Sequence, residues 1–201
     1  MVSPTKLAHV VLWTSRVREM RDWYVKVLDG RITFESPAGA FITYDDEHHR
    51  IAVGDPAAAA ELTARSVGDS QGIMGTGTLN SEDSPAVQGA SNLFQGLAHI
   101  AFTYGSLLNL LSHYEELAKA SIKPTAAVNH GPTTSLYYAD PDGNQIELQV
   151  DNFDTLEEAT LYMQSDSFAN NPVGVPFDPA ELLARLRAGA LPSDLTRPAG
   201  A

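Results

Sequence analysis

Three residues, His9, His99 and Glu147, carry the strongest chemical signal in the sequence. Each histidine opens a short apolar run typical of a strand, and Glu147 lies where polar and apolar residues alternate. The chain has no cysteine, so a metal site must use His, Asp, Glu or backbone oxygen. A strand carboxylate is costly to bury unless a cation neutralises it. Two imidazoles and one carboxylate, with the other coordination positions open, form the ligand set of non-haem Fe(II) oxygenases, and we predict a metal site here.

The two histidines belong to an internal repeat. In both copies the apolar run after the histidine leads into an amphipathic stretch, and a tyrosine follows the histidine at the same distance. Aligning the last strands of the two copies places Ala52 opposite Glu147. Both copies therefore supply a histidine, but only the second supplies a carboxylate. This division predicts two pseudo-symmetric modules facing one metal.

The first copy carries an adjacent histidine pair, His48 and His49, where the second copy has none. A histidine can accept and return a proton near neutral pH, so the pair is a candidate for acid–base chemistry. Successive side chains of a strand point to opposite faces, and the start of this strand is uncertain by one residue. The sequence therefore leaves open which of the two histidines faces the site. His113, in contrast, lies within a predicted helix and is expected on the surface.

The elements that must position these residues follow one order in both copies: strand, helix and three strands. Module one spans residues 5–53, module two spans 97–150, and an excursion covers 54–96. The sequence predicts an α+β fold in which two paired βαβββ modules form a cup-shaped mixed sheet around the metal site. We expect residues 1–150 to form one domain and residues 151–201 a C-terminal helical extension. The predicted strands are 6–13, 31–35, 40–44, 49–53, 97–103, 125–128, 135–139 and 145–150.

Composition excludes several classes of function. The 201 residues carry a formal net charge of −12, and such a surface repels phosphate backbones and anionic membranes. No apolar run approaches the roughly 20 residues that a membrane helix needs, and the first residues lack a signal-peptide pattern. We therefore expect a cytoplasmic protein with no nucleic-acid or membrane partner.

Several motifs of the two modules occur together in one known family. They are 8–12 (AHVVL), 44–52 (YDDEHHRIA), 96–102 (GLAHIAF), 129–132 (NHGP) and 136–148 (LYYADPDGNQIEL). With these motifs, the chain resembles the vicinal oxygen chelate superfamily. Within that superfamily it is similar to the short, single-domain type I extradiol dioxygenases that act on catechol or 2,3-dihydroxybiphenyl. The tail after the second module is similar to that group as well.

The resemblance implies a role for each candidate residue in the metal site. His9, His99 and Glu147 would bind Fe(II), with Mn(II) as the alternative metal. His49 would be the acid–base residue beside oxygen.

The resemblance also implies the substrate and its neighbours. His130 and Tyr137 would be hydrogen-bond donors to the substrate's oxygens. The expected reaction is ring cleavage of a catechol-type diol by O2, which gives a ring-opened semialdehyde. A homo-oligomer is expected, since the fold usually associates and the tail offers a contact surface.

Other functions on the same fold remain open at this stage. One alternative is a metal-dependent glyoxalase-like isomerase or thiol transferase, which can use a similar ligand set but needs no acid–base histidine pair. The other is a metal-free small-molecule binding or resistance protein, which has no reason to keep both histidines and Glu147. Three aromatic residues could contact a ring substrate or belong to the core: Trp13, Phe41 and Phe102.

Overall fold

The structure of the chain is a computed structural model that describes residues 4, 6–59, 61 and 97–197. The chain divides into two compact units, Met1–Gly96 and Leu97–Ala201. Most of the predicted excursion, residue 60 and residues 62–96, lies outside the described part of the chain. Within the described part, no helix is long and apolar enough to cross a membrane.

The described part of the first unit contains a mixed sheet and a helix packed on it. Its strands are β1 (Val10–Trp13), β2 (Arg31–Ser36), β3 (Gly39–Thr43) and β4 (Ile51–Gly54), and its helix is α1 (Val17–Val27). The sheet order is β1-β4-β3-β2, with β1 and β4 parallel and the other pairs antiparallel. Helix α1 buries Met20, Tyr24 and Val27, which recur at the spacing of one helical face. These side chains pack against β3 and β4.

The second unit repeats this arrangement and extends it. Its strands are β5 (His99–Thr103), β6 (Ala126–Asn129), β7 (Thr133–Ala139), β8 (Gln145–Asp151) and β9 (Val175–Pro176), in the sheet order β5-β8-β7-β6-β9. Helix α2 (Leu107–Lys119) follows β5. Ser106 caps α2 by accepting a hydrogen bond from the Asn109 amide at 3.1 Å. The apolar side of β8 is buried, as its alternating sequence predicts.

The strand register is the same in both units. The corresponding pairs are Val10–Ile51 and Val11–Ala52 in the first unit, and Ile100–Ile146 and Ala101–Glu147 in the second. Ala52 therefore holds the position that Glu147 holds in the second module, as the sequence repeat predicts. His9 and His99 each lie one residue before the first of these pairs. The two βαβββ modules confirm the expected α+β fold class.

The C-terminal extension consists of short helices packed on the second module. They are α3 (Leu156–Met163), α4 (Asp166–Asn170), α5 (Pro179–Arg187) and α6 (Pro192–Thr196). Asp178 caps α5, and Leu182 and Leu183 are buried where α5 packs on α2. Arg187 of α5 also forms an ion pair with Glu115 of α2 at 2.8 Å. The helical tail predicted from the sequence is confirmed.

Strands β1 and β4 both begin later than the sequence predicts. The residues before each strand are held by hydrogen bonds of the Arg50 side chain instead of by strand pairing. The Asp45 carboxylate accepts from Arg50 Nε at 3.0 Å and closes the turn before β4. The Arg50 guanidinium donates in turn to the backbone carbonyls of Leu7 and Ala8, the latter at 3.1 Å. His9 and the histidine pair consequently lie just outside the strands, at their start.

The buried hydroxyl of Tyr138 supports a prediction about stability. Tyr138 is fully buried, and its hydroxyl has no hydrogen-bond partner among the residues that the structure describes. Burial raises the pKa of Tyr138, which keeps the hydroxyl neutral. Because an unpaired buried hydroxyl costs about 1 kcal/mol or more, we expect Tyr138→Phe to raise the free energy of unfolding by about that amount in urea titrations.

The neighbouring tyrosine provides the matched control for this measurement. The Tyr137 hydroxyl is hydrogen bonded to His130 Nε2 at 2.9 Å, so Tyr137→Phe is expected to lower the free energy of unfolding. Equal destabilisation by both substitutions would contradict an unpaired Tyr138 hydroxyl.

Candidate functional site

The second unit places one histidine and one nearly buried carboxylate side by side. Glu147 Oε2 lies 3.0 Å from His99 Nε2, and the Glu147 side chain is 7% exposed. No lysine or arginine contacts this carboxylate among residues 97–197. Burying a carboxylate without a cationic partner is unfavourable, so Glu147 and His99 stay candidates for binding a cation. Strands β5 and β8 hold them, since His99 begins β5 and Ala101 pairs with Glu147.

Tyr137 lies directly beside Glu147 in the sheet. The β7–β8 pairing aligns the two residues, and the turn between these strands is closed by Asp140, whose carboxylate accepts from the amide of Asn144 at 2.8 Å. The edge of the Tyr137 ring meets the His99 ring with their centroids 5.6 Å apart. Burial, together with the negative charge of Glu147, raises the pKa of Tyr137 to about 12. Tyr137 therefore keeps its proton at neutral pH.

His130 extends this cluster from the loop between β6 and β7. Its Nε2 is hydrogen bonded to the Tyr137 hydroxyl at 2.9 Å. Its Nδ1 donates to the backbone carbonyl of Val173 in the C-terminal extension at 2.8 Å. Four of the six predicted site residues thus form one continuous chain of contacts: His99, Glu147, Tyr137 and His130.

The first unit brings the other two predicted residues together. The rings of His9 and His49 lie with their centroids 4.3 Å apart, and Phe41 stacks on His49 at 4.5 Å. His48 is instead turned outward, with a side chain that is 70% exposed. Burial lowers the pKa of His49, the nearby charges of His9 and His48 lower it further, and Glu47 opposes them. Of the pair, His49 is the residue that lies against His9.

A row of apolar side chains crosses the first sheet beside these histidines. This apolar row consists of Val11, Ala52, Phe41 and Phe34, which are paired across the four strands. Phe34 is 51% exposed and Phe41 is 37% exposed. Trp13, 58% exposed, lies next to the row with its ring over Gly54, where an added Cβ would come within 3.0 Å of it. The interpretation of Trp13 and Phe41 as core residues is therefore wrong, and Phe102 is half-buried.

Two contacts of the candidate residues were not predicted from the sequence. The stacking of Phe41 on His49 joins positions on neighbouring strands, and the bond from His130 to Val173 joins a hairpin to the distant tail. The only sequence signal for the second contact was the general similarity of the tail to the family, which does not specify the bond. Within the described ranges, no group of three or more His, Asp or Glu side chains forms a metal-binding cluster.

Comparison with family models matches most of the chain. The model described as Glyoxalase/Bleomycin resistance protein/Dioxygenase superfamily covers residues 6–148, which include nearly all of both modules. Among solved structures, a glyoxalase/bleomycin resistance protein/dioxygenase from Nocardioides aligns with a TM-score of 0.49 and 14% identity, over 75% of this chain and 86% of that chain.

Two curated relatives match nearly the whole chain. Biphenyl-2,3-diol 1,2-dioxygenase 2 of Rhodococcus globerulus is 43% identical over 189 residues, which are 94% of this chain and 85% of the relative. Biphenyl-2,3-diol 1,2-dioxygenase 3 of the same organism is 39% identical over 196 residues, 98% of this chain and 90% of the relative.

Proposed function

Because the chain belongs to the Glyoxalase/Bleomycin resistance protein/Dioxygenase superfamily, we propose that it cleaves the ring of an aryl-substituted catechol with O2 at an Fe(II) ion. Its relatives confirm the enzyme class, so the chain is an extradiol ring-cleaving dioxygenase with a metal cofactor. The same two relatives argue against the isomerase, thiol-transferase and metal-free binding alternatives. The observation that carries the proposal is the nearly buried Glu147 carboxylate beside His99.

The residues present fit a divalent metal. Glu147 and His99 direct a carboxylate oxygen and an imidazole nitrogen toward each other, and His9 holds the equivalent position of the repeat. We propose that these three residues supply the two-histidine, one-carboxylate set that suits Fe(II), with Mn(II) as the alternative. When bound, such a metal supplies open coordination positions and electrons that allow a diol to react with O2.

The neighbouring side chains would handle protons and orient the diol. His49 lies against His9 and carries a ring nitrogen that can accept a proton from a diol hydroxyl. Tyr137 and His130 form a hydrogen-bonded pair beside Glu147, where they can hold a substrate oxygen in place. We assign proton transfer to His49 and substrate positioning to the Tyr137–His130 pair.

The apolar row and Trp13 support an aryl-substituted substrate. Exposed aromatic side chains on a sheet face favour burial of an apolar partner, and Phe41 of this row stacks on His49, which contacts His9. The relatives are named for biphenyl-2,3-diol, whose second ring is an apolar group of this kind. We propose that biphenyl-2,3-diol or a close analogue is the substrate. We also keep the homo-oligomer as a prediction, to be measured by light scattering.

A substitution of Trp13 tests this substrate assignment. We expect Trp13→Ala to raise KM for biphenyl-2,3-diol by about tenfold, because loss of one aromatic contact removes about 1–2 kcal/mol of apolar burial. KM for unsubstituted catechol should change little, since it lacks the second ring. Steady-state kinetics with both diols gives the comparison, and Leu108→Ala, at an exposed position of α2, is the control. An equal rise of KM for both diols would contradict contact with the second ring.

The activity itself is tested with metal-free protein loaded anaerobically with Fe(II). We expect biphenyl-2,3-diol and catechol to give a yellow ring-opened product and to consume one O2 per diol. Hydroquinone, whose hydroxyls are not adjacent, should give neither. Loading with Mn(II) in a parallel sample identifies the competent metal. Absence of product from every adjacent diol with both metals would overturn the proposal.

A further inference from the structure

The C-terminal extension contacts the candidate site through the loop of residues 171–174, here called the tail loop. We propose that the tail loop is a positioning element that fixes the protonated nitrogen of His130. The contact that carries the proposal is the hydrogen bond of 2.8 Å from His130 Nδ1 to the Val173 carbonyl. The inference rests on the proposed function, in which His130 helps to position the diol.

The tail loop is built so that this carbonyl is held in place. The Asn171 side chain closes the loop on both sides, donating to the Gly174 carbonyl and accepting from the Gly174 amide, each at 3.1 Å. Strand β9 then continues from the loop and pairs Val175 with Asn129. The loop is thus tied to its own first residue and to the strand that leads to His130.

Gly174 allows the loop to approach the backbone of His130 closely. Its φ is +91°, a conformation that residues with a side chain rarely adopt. A Cβ at this position would lie 2.2 Å from the Asn129 carbonyl oxygen and 2.7 Å from His130 Cα. Any larger residue must therefore move the loop away from the histidine.

The His130 hairpin is held from the other side by a buried amide network. Asn152, 8% exposed, donates to the Gly131 carbonyl at 2.8 Å and to Asn129 Oδ1 at 3.1 Å. Asn129 donates to the Thr196 carbonyl at 2.6 Å. His130 therefore lies between two fixed backbone segments, and a buried network of this kind specifies one geometry.

The direction of the Val173 bond determines which nitrogen of His130 exchanges a proton. A carbonyl oxygen only accepts, so Nδ1 carries a hydrogen in both the neutral and the charged imidazole. Nε2 is then the nitrogen that gains or loses a proton, and it faces the Tyr137 hydroxyl at 2.9 Å. The Tyr137 hydroxyl has a single hydrogen, and both the Glu147 carboxylate and a neutral His130 Nε2 can accept it. The donor role toward a substrate oxygen implied by the resemblance therefore belongs to the protonated form of His130.

The tautomer can be measured directly in the metal-free, full-length protein by long-range 1H–15N correlation of 15N-histidine-labelled samples. We expect neutral His130 to carry its hydrogen on Nδ1, which is the less common form of an unconstrained imidazole. The signal is assigned by its loss in His130→Gln. Asn171→Ala and Gly174→Ala should both shift the population toward Nε2–H. Asn170→Ala, an exposed neighbour in α4, is the matched control and should not.

Kinetics with the Fe(II)-loaded enzyme gives the second measurement. We expect Asn171→Ala to lower kcat by about tenfold with little change in KM or iron content, as for other residues that orient a site through a neighbour. An Nε2–H tautomer in the wild-type protein, or an unchanged tautomer in folded Asn171→Ala, would overturn the proposal. Wild-type protein that cleaves no diol but shows the Nδ1–H tautomer would refute the proposed function and leave this inference standing.

Discussion

Replacing Glu147 with glutamine is expected to abolish iron binding and ring cleavage together. The amide keeps the size of the carboxylate but removes its negative charge, which is what a divalent cation needs from this position. Loss of a residue that merely orients a metal ligand costs about 10–100-fold, so loss of the proposed ligand itself should exceed about 100-fold in kcat/KM. Iron content after reconstitution and diol cleavage are measured on the same samples.

Thermal stability separates loss of metal from loss of fold. Without metal, Glu147 is a nearly buried carboxylate beside His99 Nε2 and Tyr137, so Glu147→Gln should not lower Tm. Fe(II) should raise Tm of the wild-type protein and leave that of Glu147→Gln unchanged. Glu157→Gln, the same chemical change on exposed α3, should behave like the wild type. Full iron content in Glu147→Gln would remove Glu147 from the ligand set.

The fold was predictable where local pattern and tertiary packing agree. Helix α1 buries the residues that recur at helical spacing, and β8 buries the apolar half of its alternating sequence. The repeat also predicted the common register, which places Ala52 where the second module has Glu147. The pairing of Tyr137 with Glu147 belongs to the separate β7–β8 hairpin, which the repeat does not determine.

The remaining features depend on contacts between residues distant in sequence. The late start of β1 follows from Arg50, whose guanidinium binds the backbone at Leu7, and no local pattern in residues 6–9 records that bond. The orientation of His130 depends in the same way on the Val173 carbonyl, because a backbone carbonyl has no residue type to recognise. The choice between His48 and His49 needed the true start of β4, since one residue of shift reverses the side-chain direction.

His49, the member of the pair that lies against His9, is expected to have a large effect on turnover. We expect His49→Gln to lower kcat by about 10²- to 10⁴-fold, the range for loss of a general acid–base group. Iron content should stay near that of the wild type, because His9, His99 and Glu147 are all retained. Single-turnover measurements under saturating diol and O2 isolate this step from substrate binding.

His48→Gln is the matched control, since it makes the same chemical change one residue away. The His48 ring is exposed and contacts His49, with the two Nδ1 atoms 2.5 Å apart, so His48→Gln should lower kcat much less than His49→Gln does. The contrast between the two variants is informative because both remove one imidazole from the same turn. Equal losses of kcat would show that the pair acts as a unit, and loss of iron in His49→Gln alone would make His49 a metal ligand rather than a proton carrier.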